Sequence, residues 1–327
     1  MGKNLASLTL VFAVVAVASA PDAVAQKQRR HNFVAETPPS SKQNNYNYLR
    51  RHCLNEIKET PGHWTWDDAL LIARFSKKED GTSLKEKFLD AKNIDIRLPL
   101  ASITKSMTAY LVFEAIKDKQ LSLFQRIPVL PDSLCLGDSA FAIDKLPKNI
   151  MDSGITVSDA LTHTLRLSSN PMAYNLAVAV AGSEAKFVER MNKTAKDWGM
   201  NDTHFMNPHG LPVGDRKGEH TTARDLLKMA EHIIPDFDLY QTYSHAKLMV
   251  DTSPYYEKKN EIKEYLRNIG AVAKTGTINQ CKSLFTIAED GDDKIVSIQL
   301  CTKQNRMTQI KEIMKSVLGI RDVGVSP

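Results

Sequence analysis

At 327 residues with 42% hydrophobic content, the chain is long enough for one large domain or two modest ones, with a substantial core in either case. Lys and Arg number 43 against 38 Asp and Glu, a net charge of +5. There is no dense basic stripe, so a nucleic-acid partner is not favoured.

The opening stretch, MGKNLASLTLVFAVVAVASAPDAVAQ, joins one lysine to an apolar run that is too short and small-residue-rich for a good membrane span. It reads as an export signal. Pro21 disfavours a cut after Ala20, so cleavage is expected after Ala23-Val24-Ala25, leaving Gln26 first; the competing reading is an uncleaved N-terminal anchor. Residues 26–60 begin as QKQRRHNFVAETPPSSKQNNYNYLRR, polar and nearly without aliphatic residues, and read as a flexible leader.

Residues 67–75, DDALLIARF, read as a strand, and the charged turn KKEDG reverses the chain after it. From about 102 to 235 the periodicity is helical: SITKSMTAYLVFEAI, TVSDALTHTLRL, NPMAYNLAVAVAG, SEAKFVERMNKTAKDWG and TTARDLLKMAEHII. Ser158-Asp159 and Thr222 to Asp225 supply capping chemistry, and Gly182 and Gly199 are natural stops. After Pro254 the runs IGAVAKTGT, KSLFTIAE and KIVSIQLCT are of strand type, and TQIKEIMKSVLG closes the chain as a helix. The last helix is amphipathic but is expected to pack on the sheet, which leaves no clear membrane anchor. Because the early strand needs partners, the economical arrangement is one antiparallel sheet made from both ends of the chain, with the helical block inserted.

Four cysteines, Cys53, Cys135, Cys281 and Cys301, fit no zinc spacing, and no metal or cofactor is expected. Cys281 and Cys301 flank a hairpin. A three-residue turn centred on Gly291 sets them directly opposite; a turn of two or four residues puts them on opposite faces. Both registers remain open.

Ser102 and Lys105 lie one helical turn apart at the head of a long apolar helix. An S-x-x-K match alone is weak, since roughly one is expected per chain of this size, and Ser183 with Lys186 and Ser244 with Lys247 repeat it as ordinary surface sequence. Position separates Ser102 from these. Its N–H belongs to a first helical turn, whose amides lack intrahelical partners and favour developing negative charge. A serine hydroxyl needs a base, and lysine serves when burial or a second cation lowers its proton affinity. A candidate second cation is Lys274 in Lys274-Thr-Gly276, a tripeptide that about one random chain in ten would contain. Between the two stands Ser168-Ser-Asn170, in a loop between helices.

Ser102-Ile-Thr-Lys105, Ser168-Ser-Asn170 and Lys274-Thr-Gly276, in this order, closely resemble the motifs of the penicillin-binding serine peptidases, in particular the low-molecular-weight D-alanyl-D-alanine carboxypeptidases of serine peptidase family S11. Flanking sequence such as FVERMN, NDTHFMNPHGLP and TTARDLL also looks like the family, over about residues 65–320. The resemblance implies an α/β (α+β) protein of the beta-lactamase/DD-peptidase-like fold, with a single catalytic domain over 61–322. It implies that Ser102 forms an acyl-enzyme with Lys105 as base and that Ser168 relays the proton to the departing D-alanine. Asn170 would hold the substrate amide or Lys105, Lys274 would supply positive field, Thr275 would bind the substrate carboxylate, and Gly276 would let the substrate lie beside the strand. The N–H groups of Ser102 and Thr277 would form the oxyanion hole.

The partners so implied are peptidoglycan stem peptides ending in D-Ala-D-Ala, with beta-lactams as covalent inhibitors, in the periplasm. Alternatives are a D,D-endopeptidase on peptidoglycan cross-links and a catalytically silent peptidoglycan-binding protein. A beta-lactamase would need a glutamate for deacylation, and HFMNPHG, residues 204–210, has none. Pro171-Met172 stands where relatives often carry Asp-Ala. His209 is read as a loop-packing residue, Met107, Tyr110 and Glu114 as helix packing, and Lys303 as a surface lysine or an aid to carboxylate binding.

Overall fold

The structure, a computed structural model, describes residues 67–78, 84–136, 153–212, 218–245 and 261–319. The expected export signal, the leader and Cys53 lie outside the described residues. Strand β1, Ala69–Lys77, carries Leu71, Ala73 and Phe75 on one face and Ile72 on the other, all buried. Burial of both faces requires a layer on each side of the sheet. β1 pairs antiparallel with β2, Leu84–Lys92, and on its other edge with a strand near the end of the chain, Asp293–Leu300. Numbering that strand β5, with β3 at Val272–Ile278 and β4 at Cys281–Asp290, the sheet order is β2-β1-β5-β4-β3. Both ends of the chain thus build one antiparallel sheet, as expected.

The inserted block holds α1 (Thr104–Lys117), α2 (Val157–Arg166), α3 (Asn170–Ala181), α4 (Glu184–Asp197), α5 (Ala223–Ile233) and α6 (Phe237–His245). α1 is its centre. Met107, Ala109, Leu111, Val112 and Phe113 are buried around most of its circumference, so it lacks the single apolar stripe of a surface helix. Phe113 meets Tyr240 edge-on, with centroids 5.1 Å apart, and the Tyr240 hydroxyl donates to Ser106 O at 2.8 Å, which ties α6 to α1. Removing a buried ring of this kind costs about 3–5 kcal/mol. Met107 and Tyr110 pack as expected, Tyr110 against Trp198 with centroids 4.7 Å apart.

The opposite face of the sheet is covered by α7, Glu261–Asn268, and α8, Arg306–Leu318. Ile310, Ile313 and Met314 of α8 join Ile72, Leu284 and Ile295 in that core. The last helix therefore packs on the sheet. No helix among the described residues is long and apolar enough to cross a membrane.

Several elements differ from the sequence expectation. β2, LKEKFLDAK, was not foreseen as a strand because it is an exposed edge whose charges blur the alternation; such charges also keep an edge from pairing with other chains. α7 carries its apolar residues only at Ile262, Tyr265 and Leu266, too few to declare a helix by periodicity. α6 follows directly on a 3-10 turn at Ile234–Asp236 that holds Pro235, where a helix would be expected to stop. The cap of α2 is Thr156, which accepts from Asp159 N and donates to its carboxylate, rather than Ser158. Thr222 caps α5 through Asp225 N, and Gly182 ends α3 at φ 78°, as expected.

The cysteine pair corrects the register argument. Asp290 pairs with Asp293, so Gly291-Asp292 is a two-residue turn, the case expected to separate Cys281 from Cys301. The two are nevertheless disulfide-bonded. Cys301 is left-handed at φ 49°, and Thr302 N donates to Lys282 O at 2.9 Å, so Cys301 is an extra residue in a bulge. That bulge turns its side chain back to the face of Cys281. Cys135 is also oxidised.

His163 in α2 is buried, and burial lowers its pKa to about 4 from 6.5. An unfolded chain takes this proton near 6.5, so between the two values the unfolded state holds more protons and stability falls as pH drops. Urea denaturation of the wild type and His163→Gln should show the wild type losing about 2 kcal/mol relative to the variant between pH 7 and pH 5. Parallel curves would contradict this burial of a neutral imidazole.

Candidate active site

The chain enters the site through an isolated bridge between Leu98 and Thr221. It then forms a 3-10 turn at Ala101–Ile103 that runs into α1. Ala101 has φ 47°, an uncommon conformation for a residue with a side chain, and one that recurs at functional sites. Gly210 explains how the turn is held. A Cβ on Gly210 would lie 1.9 Å from Ala101 O, so only glycine lets the NPHGLP loop pack against the strained turn.

Lys105, on the same face as Ser102, is fully buried. Its Nζ donates to Ser102 Oγ at 3.0 Å, Asn170 Oδ1 at 2.7 Å and His209 O at 2.6 Å. These three acceptors are uncharged and come from three separate parts of the fold. Burial penalises a charged amine. A neutral amine has two N–H donors and one lone pair, so it can satisfy Asn170 and His209 while accepting the Ser102 proton. His209 is buried with Nδ1 accepting from Leu211 N, and burial lowers its pKa. The loop-packing reading holds for its ring, but the sequence did not foretell the part its carbonyl takes.

Ser168 lies between α2 and α3 at φ 64°. The helix cap is its neighbour Ser169, which accepts from Met172 N at 3.3 Å. Relieved of capping, Ser168 Oγ receives a hydrogen bond from Lys274 Nζ at 2.8 Å. Asn170 opens α3, with Pro171 in its first turn and Met172 buried, so Pro-Met is accommodated by the start of a regular helix.

Lys274 is buried on β3, which forms the edge of the sheet opposite β2. A Cβ on Gly276 would meet Leu100 O at 3.0 Å and Ala101 Cβ at 3.3 Å. Close approach of the strand to the serine turn therefore already favours glycine, before any substrate is considered, because a methyl would have to push the turn back by a few tenths of an ångström. Thr275 is half-buried and Thr277 exposed on the same strand. Arg306, missed in the sequence, donates to Gly276 O at 3.1 Å and to its cross-strand partner's carbonyl, Ser283 O, at 3.0 Å. It braces the strand from the start of α8. Lys303 is exposed beyond the end of β5.

Fold and site together bring all three motifs to one place: Ser102, Lys105 and Asn170 share one hydrogen-bonded cluster, and Ser168 and Lys274 form another. The sequence profile of the D-alanyl-D-alanine carboxypeptidases, peptidase family S11, matches residues 83–303. The chain belongs to this family. Its relatives include the D-alanyl-D-alanine carboxypeptidase DacC of Escherichia coli K12, 27% identical over 68% of this chain and 55% of that one. Another is DacF of Bacillus subtilis, 26% identical over 70% of this chain and 58% of that one. The chain thus spans about half the length of the curated relatives it matches. Penicillin-binding protein D2 of Listeria monocytogenes, solved in a cefotaxime-bound form, superposes with a TM-score of 0.60 at 25% identity over 80% of this chain and 100% of that one. Penicillin-binding protein 5 of Haemophilus influenzae gives 0.62 at 23% identity, over 80% and 73% of the two chains. The fold is that of the family, a helical lobe set into an antiparallel sheet.

Two of the left-handed glycines, Gly182 and Gly210 (φ 79°), should respond differently to alanine. At Gly182 nothing lies within 4 Å, and Gly182→Ala should cost about 1 kcal/mol, the left-handed penalty alone. At Gly210 the added methyl overlaps a backbone carbonyl, and Gly210→Ala should cost on the order of 3 kcal/mol or more. Equal denaturant midpoints for the two variants would contradict this packing.

Proposed function

We propose that the chain is a serine-type D-Ala-D-Ala carboxypeptidase that removes the terminal D-alanine from peptidoglycan stem peptides. The observation that carries the reading is a buried Lys105 amine 3.0 Å from a half-buried serine hydroxyl, among uncharged acceptors. Ser102 Oγ attacks the carbonyl of the penultimate residue as its proton passes to Lys105 Nζ. The carbonyl oxygen gains negative charge, which the N–H groups of Ser102 and Thr277 would stabilise. Lys105 passes its proton to Ser168 Oγ while Ser168, held by Lys274, delivers its own to the leaving amine, so that the C–N bond breaks and D-alanine departs. Water then attacks the acyl-Ser102 ester, and the serine regains its proton.

Asn170 orients Lys105 and leaves its amide nitrogen toward Leu136 O at 3.4 Å, a weak contact that a substrate carbonyl could replace. Thr275 on β3 would receive the substrate carboxylate. The edge of β3 offers backbone groups to an extended peptide, in the manner of strand addition. Beta-lactams would acylate the same serine, and Ser102 would retain the adduct. Glu219, a buried glutamate behind the serine turn, is bonded to Thr104 rather than to the serine. The domain reading is an export signal over 1–25, a leader over 26–60 and the catalytic domain over 61–322, with the enzyme acting in the periplasm. A second reading, cleavage of D,D cross-links, is supported by a relative in Pseudomonas aeruginosa named a D-alanyl-D-alanine endopeptidase, 32% identical over 143 residues.

The test combines a fluorescent penicillin with a pentapeptide ending in D-Ala-D-Ala. Wild type should be labelled and should release D-alanine, with both activities reduced at least 1,000-fold in Ser102→Ala, an order-of-magnitude expectation for loss of a nucleophile. Wild type that neither labels nor releases D-alanine would sink the peptidase reading in favour of a binding protein. Rapid penicillin hydrolysis without a trapped adduct would point to a beta-lactamase.

A further inference from the structure

Glu219 is an acid in the interior behind the serine turn, 8% exposed, on the segment that leads to the cap of α5. Its carboxyl oxygen accepts from Thr104 Oγ1 at 2.8 Å, and Thr104 is the residue immediately before Lys105. The same hydroxyl would lie 3.0 Å from a Cβ on Gly210. Glu219, Thr104, Lys105 and the NPHGLP loop therefore form one contiguous packed group. Among the described residues Glu219 makes no ion pair, and a hydroxyl alone is poor compensation for a buried carboxylate. Burial pushes its pKa up to about 8, opposed by the Thr104 hydrogen bond and by the charge of Lys105. The groups that act on it are Thr104 and Lys105 of α1; His209 of the loop, whose pKa burial lowers, has Glu184 3.6 Å from its ring. Next to it in the chain, His220, whose pKa burial also lowers, pairs with His204. Lys105 is the charged group that acts on it.

We propose that Glu219 is a positioning residue whose protonation state sets how readily Lys105 gives up its proton. As a neutral acid it lets Lys105 serve as the base for Ser102; as a carboxylate its charge, acting across Thr104 without contact, favours the Lys105 ammonium and withholds the base. The two groups titrate as a pair, because a negative charge on one favours the positive charge on the other. In the acid range Glu219 is protonated and has no effect. Above about pH 8 it ionises, and its negative charge opposes release of the Lys105 proton. The inference rests on Ser102 and Lys105 being the acylating pair.

The experiment follows the second-order rate of acylation of the full chain by a fluorescent penicillin from pH 6 to 10, for wild type, Glu219→Gln and Thr104→Val. Wild type and Glu219→Gln should coincide below about pH 8 and separate above it, with the variant about fivefold or more faster at pH 9.5. Thr104→Val removes the hydrogen bond that favours the carboxylate, so its departure from the Glu219→Gln curve should begin at a higher pH than that of wild type. A purely structural role for Glu219 would scale the whole profile without changing its shape. Superimposable or merely scaled profiles, with labelling intact, overturn this inference alone. Absence of wild-type labelling at every pH overturns the peptidase reading and this inference with it.

Discussion

Burial of the Lys105 amine is the constraint on which the rest of the site depends. A lysine tip deprived of water must find acceptors, and here they are Ser102 in the 3-10 turn, Asn170 at the head of α3 and the His209 carbonyl in a loop more than a hundred residues away. Each must be held in place by its own surroundings. Ala101 accepts a left-handed conformation, Gly210 gives up a side chain, and Ser169 takes over the cap of α3 so that Asn170 and Ser168 are both free to face inward. The strain is local, and the packing of α1 on every side keeps it there.

The second lysine depends on the sheet. β3 approaches the serine turn so closely that a methyl on Gly276 would press on it, and Arg306 fixes the strand by its carbonyls from below. That approach brings the Lys274 ammonium to Ser168. Each of two lysines then meets a serine hydroxyl, Lys105 at Ser102 among further uncharged acceptors and Lys274 at Ser168. Such a division suits proton traffic in both directions, since the two amines sit in different surroundings. Glu219 adds a third titratable group behind them, reached through Thr104.

Much of this was legible beforehand where local chemistry and periodicity agreed. The five expected helices from 102 to 235 and the three C-terminal strands are present, because their apolar spacing and their stops at Gly182 and Gly199 point the same way. β2 was lost because its side chains face water and obey no burial pattern. Ser168 could have been either a cap or an active-site serine. The cap went to its neighbour Ser169, and Ser168 meets Lys274, an outcome of backbone angles that no pattern of residue types encodes. Cys301 carried the sharper lesson: the hairpin register came out as one of the two cases foreseen, but the rule drawn from it failed at a bulge of one residue.

The sequence by itself determined the motif triplets, their order, the strand–helix–strand layout and hence the family, because these follow from residue type, spacing and local periodicity. Tertiary structure alone decided which groups hold Lys105, why Gly210 must be glycine and Gly276 is best as one, and that Glu219 and Arg306 belong to the neighbourhood of the site. Those relations join residues far apart in the chain through close approach and exclusion of water. Distance and burial of that kind exist only once the chain is folded.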